Sequence, residues 1–276
     1  ARVPRNLSVK EGFCIHKVWR GHNKEFNLET SHQKAKYLEY LNDDIESPRF
    51  QNASILQAFT LMGNHVHEMM RILNQKLFSN HMRRHHSRYG MYFNRSNNRC
   101  GKVAQDRPHT CLIEDFEHEM KTVFYIHANP IRANIVADAR NYHYSTHNLY
   151  AFGQRKPWMK HVVLPQWYMA LGKNMTERQK RYRSLFAQYL KDNGRTKRHF
   201  LKKLFYGSQN WMMAQQDVVK NGDENTVPLS IRIQISIPVV FDKVFGEALL
   251  FFCVYSSDIR FVQPTWLNLA SKFFLF

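Results

Sequence analysis

An apolar run, Ile55-Leu56-Gln57-Ala58-Phe59-Thr60-Leu61-Met62, is followed after Gly63-Asn64 by His65-Val66-His67. The two runs and the Gly-Asn step between them predict a strand pair, residues 55–61 and 65–70. Alternate side chains of a strand point to one face, so His65 and His67 share a face while Val66 enters the core. A strand is expected over 13–19 and a helix over 31–42, with Tyr37, Leu38 and Leu41 on its apolar side. A basic helix is expected over 76–89, then a loop rich in Asn, Arg and Gly over 94–101 and a strand near 110–113. Next, Phe116, Met120, Val123, Phe124 and Ile126 recur mostly at three- and four-residue steps, which predicts an amphipathic helix opened by Glu114-Asp115. Tyr125 and Asn129 fall on one face of it. Pro130 disfavours the helical conformation at Asn129, so an end or kink is expected there.

The order β-α-β-β-α-β predicts an α+β fold with a ferredoxin-like split βαβ core and an antiparallel sheet carrying the His-x-His pair. Residues 1–153 form the expected first domain. Residues 154–276 form a basic, mainly helical extension, with a helix over 176–192 capped by Thr176. Beyond Asn221, Ser230-Ile231-Arg232-Ile233-Gln234-Ile235-Ser236-Ile237 alternates like a strand. No internal repeat is visible.

Charge narrows the partners. Forty Lys and Arg against 22 Asp and Glu give a net charge of +18 over 276 residues. Such an excess speaks of partners, and phosphate backbones are the expected ones. No stretch approaches the roughly 18–20 apolar residues of a membrane span, and no signal-peptide pattern stands at the start of the chain. Cys14, Cys100, Cys111 and Cys253 are scattered, which suggests neither a zinc knuckle nor a disulfide framework. A cytoplasmic, nucleoid-associated location is expected. In Met82-Arg83-Arg84-His85-His86-Ser87-Arg88-Tyr89 and Tyr92-Phe93-Asn94-Arg95, cations alternate with aromatics. That pattern suits single-stranded nucleic acid, and Arg83, Arg84, Arg88, Tyr92 and Asn94 are candidate contacts. The bland reading is a solvated basic helix. It is preferred for His81, His85 and His86 over a second metal site, because adjacent histidines diverge on a helix.

Five blocks carry a family resemblance. Met62-Gly63-Asn64-His65-Val66-His67 resembles the Met-Pro-Asn-His-Val-His block of the HUH single-tyrosine transposases, and Tyr125-Ile126-His127-Ala128-Asn129-Pro130-Ile131-Arg132-Ala133 resembles their Tyr-Ile-x-x-Asn-Pro-Val-Arg-Ala block. The REP-associated tyrosine transposases are the most similar branch. Ile15–His22, Ser87–Arg95 and Tyr142–Thr146 resemble further segments in the same order. The likeness runs from about residue 12 to 153. Gly63 departs from the usual proline, Glu68 from an apolar residue and Asn134 from a common glycine. On a strand Glu68 faces away from the histidine pair, and Asn134 tolerates a left-handed turn.

The resemblance implies a metal-dependent transposase or endonuclease acting on single-stranded or hairpin DNA through a 5′-phosphotyrosine intermediate. Tyr125 would be the nucleophile. His65, His67 and Asn129 would hold a divalent metal, Mg²⁺ or Mn²⁺, their nitrogen and oxygen donors suiting Mn²⁺ and tolerating Mg²⁺. Arg20, Arg107 and Arg132 sit at family-matched positions as candidate DNA contacts. Bond exchange conserves the phosphodiester energy, so no nucleotide cofactor is expected, and relatives act as monomers or homodimers. Simpler roles stay open. Tyr125 also fits a half-buried helix tyrosine, and Asn129 a helix C-cap. Two other classes stay open as well: a catalytically weak, domesticated hairpin-binding protein, and a zinc hydrolase built on His65 and His67. The second wants a third histidine or a carboxylate ligand.

Overall fold

Strand β1 (Cys14–Arg20), which follows a short helix α1 (Arg5–Ser8), is buried along nearly its whole length, so both faces of the sheet are covered at its centre. It pairs antiparallel with β3 (His65–Ile72) on one side and β4 (His109–Ile113) on the other. Strand β2 (Ser54–Leu61) pairs antiparallel with β3, the chain turning at Gly63-Asn64 as the sequence predicts. The order β2-β3-β1-β4 is that of the split βαβ motif, and the fold is α+β. The computed structural model describes residues 3–193 and 203–221; the alternating stretch at 230–237 lies outside them.

Alternation sorts β1 and β3 between two cores. Ile15, Trp19, Val66 and Met70 face a layer made by two helices, α2 (Ser31–Glu46) and α3 (Gln75–Ser96), with Tyr37, Leu38, Phe78, Met82 and Tyr89 packed against them. Cys14 and Met69 face the opposite side, with Val123, Phe124 and Ile126 of α4 (Phe116–Arg132). Each long helix starts on a side-chain acceptor. Thr30 and Gln33 form a capping box on α2, Asn74 caps the Leu77 N–H, and Asp115 caps that of His118.

Three expectations are corrected. Helix α4 does not end at Asn129; it passes Pro130 and closes at Arg132. Proline removes the N–H that would bond the Ile126 carbonyl. The Asn129 side-chain amide takes that place, donating to the carbonyls of Tyr125 at 2.9 Å and Ile126 at 3.4 Å. Asn134 then turns left-handed at φ 54°, as expected. Second, His81 and His85 are not on a solvated face: they are 1% and 0% exposed, and His85 packs on Tyr37 at 4.4 Å. With His86, which lies against Trp19, they belong to the stripe that α3 turns toward the sheet. Third, Asn174 rather than Thr176 caps α7 (Met175–Asn193), its Oδ1 accepting from the Glu177 N–H.

The segment after Gly153 packs onto this core. A short helix α5 (His147–Phe152) ends on Gly153 at φ 69°. Trp167 and Tyr168 of α6 (Gln166–Met169), with Tyr182, Phe186 and Tyr189 of α7, share the α4 core. Phe205–Tyr206 adds a parallel fifth strand, β5, beside β4, and α8 (Gln209–Asn221) follows. A boundary at residue 153 remains an expectation.

Glu68 faces α2 and α3, away from His65 and His67, and forms a fully buried ion pair with Lys17 directly across the strand pair. Tyr37 Oη donates to Glu68 Oε1 at 3.2 Å. Residues 17 and 68 therefore change the core together: a charge at either position requires its partner.

Candidate active site

The α4 side of β1 and β3 gathers imidazoles. His65 lies opposite Arg20, and His67 opposite Val18, two strand positions from His16. His16 is the imidazole that the motifs alone do not single out. The alternation Cys14, His16, Val18, Arg20 puts it on the right face, but only the register with β3 sets it beside His67. The two rings are 17° from parallel, with centroids 5.1 Å apart and His16 Nε2 2.9 Å from His67 Nδ1. Nitrogens that close at that centroid distance place the rings edge to edge, nitrogen facing nitrogen.

His65 is held differently. Its Nδ1 lies 2.6 Å from Asn64 Oδ1, and the Asn64 amide nitrogen donates to the Lys24 carbonyl at 3.2 Å. An amide oxygen only accepts, so His65 Nδ1 carries the proton and Nε2 carries the lone pair. Burial and the Arg20 charge push the His65 pKa down to about 4, and burial with His109 and His65 pushes His16 down to about 3. His67 is also held well below its ordinary value, first by burial and then by its two histidine neighbours. Near neutral pH all three are neutral, the state in which imidazole binds a cation.

Tyr125 rises from α4 into this cluster. Its ring meets His67 edge-on with centroids 5.6 Å apart and His16 at 5.7 Å. The Arg132 guanidinium lies 5.0 Å from the Tyr125 ring centroid and donates to Tyr189 Oη at 2.8 Å. Tyr125 is 5% exposed, and burial raises its pKa, while Arg132 and Arg20 pull it down and Tyr189 pulls it up. Asn129 stands one turn beyond Tyr125. Its nitrogen is committed to the helix carbonyls, which leaves the amide oxygen as its remaining acceptor.

The expected DNA contacts are scattered. Arg20 and Arg132 lie at the imidazole cluster, whereas α3 spends much of its charge internally. Arg84 and Arg88 both donate to Asp44 Oδ1, at 2.9 and 2.8 Å, Arg88 also reaches Asp43, and its guanidinium covers Tyr40. Arg83 is exposed on the outer face. Tyr92 packs among Tyr40 and Tyr89, Asn94 braces the Gly101 carbonyl at 2.9 Å, and exposed Arg107 donates to the Val3 carbonyl.

No protein-family profile matches the chain, and no curated protein matches it in sequence. Among solved structures it is similar to a REP-associated tyrosine transposase bound to a REP hairpin, at 17% identity and a TM-score of 0.42, over 53% of this chain and 84% of that one. The functional reading therefore rests on the side chains of this chain.

A second group could hold a cation by proximity: Glu114, Asp115 and His118 present ligand atoms within 4.8 Å of one another. Each carboxylate already has a structural task. Asp115 caps α4 and bonds His118 Nδ1 at 2.7 Å, while Glu114 accepts from the Ser208 backbone and hydroxyl. Ten residue steps along the helix, roughly 15 Å of axis, separate Asp115 from Tyr125. No helix among the described residues is long and apolar enough to cross a membrane.

Proposed function

We propose that this chain is a metal-dependent nuclease and transposase of single-stranded or hairpin DNA, with Tyr125 as its nucleophile. The observation that carries the reading is the packing of the Tyr125 ring against His16 and His67 beneath the Arg132 guanidinium. The order of the sequence blocks is the second support. His65 and His67 present neutral imidazoles on one strand face, and Asn129 presents an amide oxygen one turn from the tyrosine, a donor set that fits Mn²⁺ or Mg²⁺. A divalent ion bound there supplies Lewis-acid polarisation of a phosphate oxygen.

The chain's own groups do the rest. Arg20 and Arg132 bring positive charge to the position a phosphate would take, and both favour the phenolate over the phenol. Tyr125 Oη bonds to phosphorus as its proton leaves. The bond from phosphorus to the 3′ oxygen breaks, and that oxygen departs as a 3′-hydroxyl. Burial of the tyrosine keeps competing water from the phosphotyrosine link.

Strand polarity tests this directly. Single-stranded hairpin oligonucleotides labelled at either end are incubated with protein and Mn²⁺ and resolved on denaturing gels. The expected adduct carries the 3′-end label, and the released fragment carries the 5′-end label. Release of both fragments without an adduct would favour the zinc-hydrolase reading. Retention of intact DNA by active-site-competent, Mn²⁺-loaded protein would favour the non-catalytic binder.

A further inference from the structure

We infer that His16 is a positioning residue for the metal site: by accepting the His67 Nδ1 proton it holds the His67 Nε2 lone pair toward the cation. The inference rests on the proposed metal reading of His65 and His67. It goes beyond that reading by assigning a residue outside the ligand set.

The two ligand histidines show what each Nδ1 needs. Asn64 Oδ1, which only accepts, sits 2.6 Å from His65 Nδ1 and fixes that ring with Nε2 available. His16 Nε2 occupies the matching place on His67, 2.9 Å from Nδ1. One proton lies between the two nitrogens. If it belongs to His67, His67 Nε2 is a ligand atom. If it belongs to His16, His67 carries its proton on Nε2 and cannot coordinate. Both side chains are almost fully buried, each 1% exposed, so the pair is shielded from bulk water. Histidine at 16 therefore sets the ligand atom of a residue two strand positions and one strand away, in the way outer hydrogen bonds fix the orientation of metal-bound imidazoles.

The substitutions follow from atom placement. In His16→Gln, the side-chain amide oxygen reaches about as far as Nε2 and keeps the acceptor. In His16→Leu, the volume is kept and the acceptor is lost, and the His67 ring is released. The full chain is titrated with Mn²⁺ by calorimetry without DNA, and its imidazole nitrogens are read by ¹⁵N NMR without metal. Wild type should show His67 protonated on Nδ1. His16→Leu should weaken Mn²⁺ affinity about 10–100-fold, the usual range for an outer partner, and His16→Gln should stay within about threefold of wild type. A wild-type His67 protonated on Nε2, or a folded His16→Leu chain that binds Mn²⁺ like wild type, overturns the inference. If His16→Leu does not fold, the wild-type nitrogen spectrum still decides. Failure of the nuclease reading looks different: wild type forms no DNA adduct, while the Mn²⁺ titration and the nitrogen spectrum keep the pattern predicted here.

Discussion

At Tyr125, burial and two guanidiniums pull the phenol in opposite directions, and the surrounding imidazoles carry no charge to add. Their neutrality has a consequence for stability. His16 and His65 titrate at about 3 and 4 in the folded chain, and His81 at about 3, against about 6.5 when unfolded. Between those values the unfolded state holds more protons, so stability is complete above pH about 6.5 and falls as pH drops toward 4. Each such histidine removes about 1.4 kcal/mol per pH unit in that window, so urea midpoints of the metal-free chain should decline steadily from pH 7 to pH 4; a flat profile would contradict the burial assigned to these rings. The Lys17–Glu68 pair behaves as a unit. Glu68→Leu alone leaves a buried ammonium and should cost about 3–5 kcal/mol, whereas Lys17→Met with Glu68→Leu should be near neutral, as buried pairs replaced by apolar groups are. Denaturant melts of the two variants distinguish a paired charge from two independent ones. The His-x-His pair was legible in the sequence because a two-residue period needs no partner strand. His16 was not, because its neighbour depends on register. The stripe Phe78, His81, Met82, His85, Tyr89 and Phe93 is written at helical spacing, but the divergence of adjacent histidines on a helix argues only against a shared metal site and does not say which of them the sheet covers.

Helix α4 is positioned by a hydrogen-bond chain through its own His127. The Thr146 hydroxyl bonds the Phe59 backbone of β2, His127 Nε2 lies 2.8 Å from Thr146 Oγ1, and His127 Nδ1 lies 2.6 Å from Tyr182 Oη of α7. One buried imidazole thus joins the sheet, the tyrosine helix and the extension. Tyr182→Phe removes the outer link and leaves a buried ring nitrogen unsatisfied, which should cost about 1–3 kcal/mol. Thermal melts and amide exchange along α4 would show it; unchanged exchange at residues 123–129 would mean that the chain of bonds does not hold the helix. Periodicity revealed most elements, because α2, α3 and α4 each carry an apolar stripe and a side-chain cap. Pro130 predicts an end or kink at Asn129, whereas the helix runs on to Arg132, with the Asn129 side chain restoring the missing donor. The two-residue strand β5 left no alternation to read.

Across the whole molecule, a net charge of +18 should make DNA binding steeply salt-dependent. With about five phosphate contacts on a single strand, the log–log slope of affinity against salt should be about −3.5; affinity indifferent to salt would point to contacts other than phosphate. Arg84 and Arg88 show why charge counts alone overstate such a surface, because Asp43 and Asp44 already engage them. The proposed chemistry depends on a single oxygen. Tyr125→Phe keeps the ring against His16 and His67 and leaves the histidine pair, Asn129 and both arginines in place, so hairpin binding should persist within about twofold. Covalent attachment to the oligonucleotide in the presence of Mn²⁺, read on a denaturing gel, should fall below detection, because the attacking atom is gone. An adduct formed by Tyr125→Phe at the wild-type rate would contradict the account.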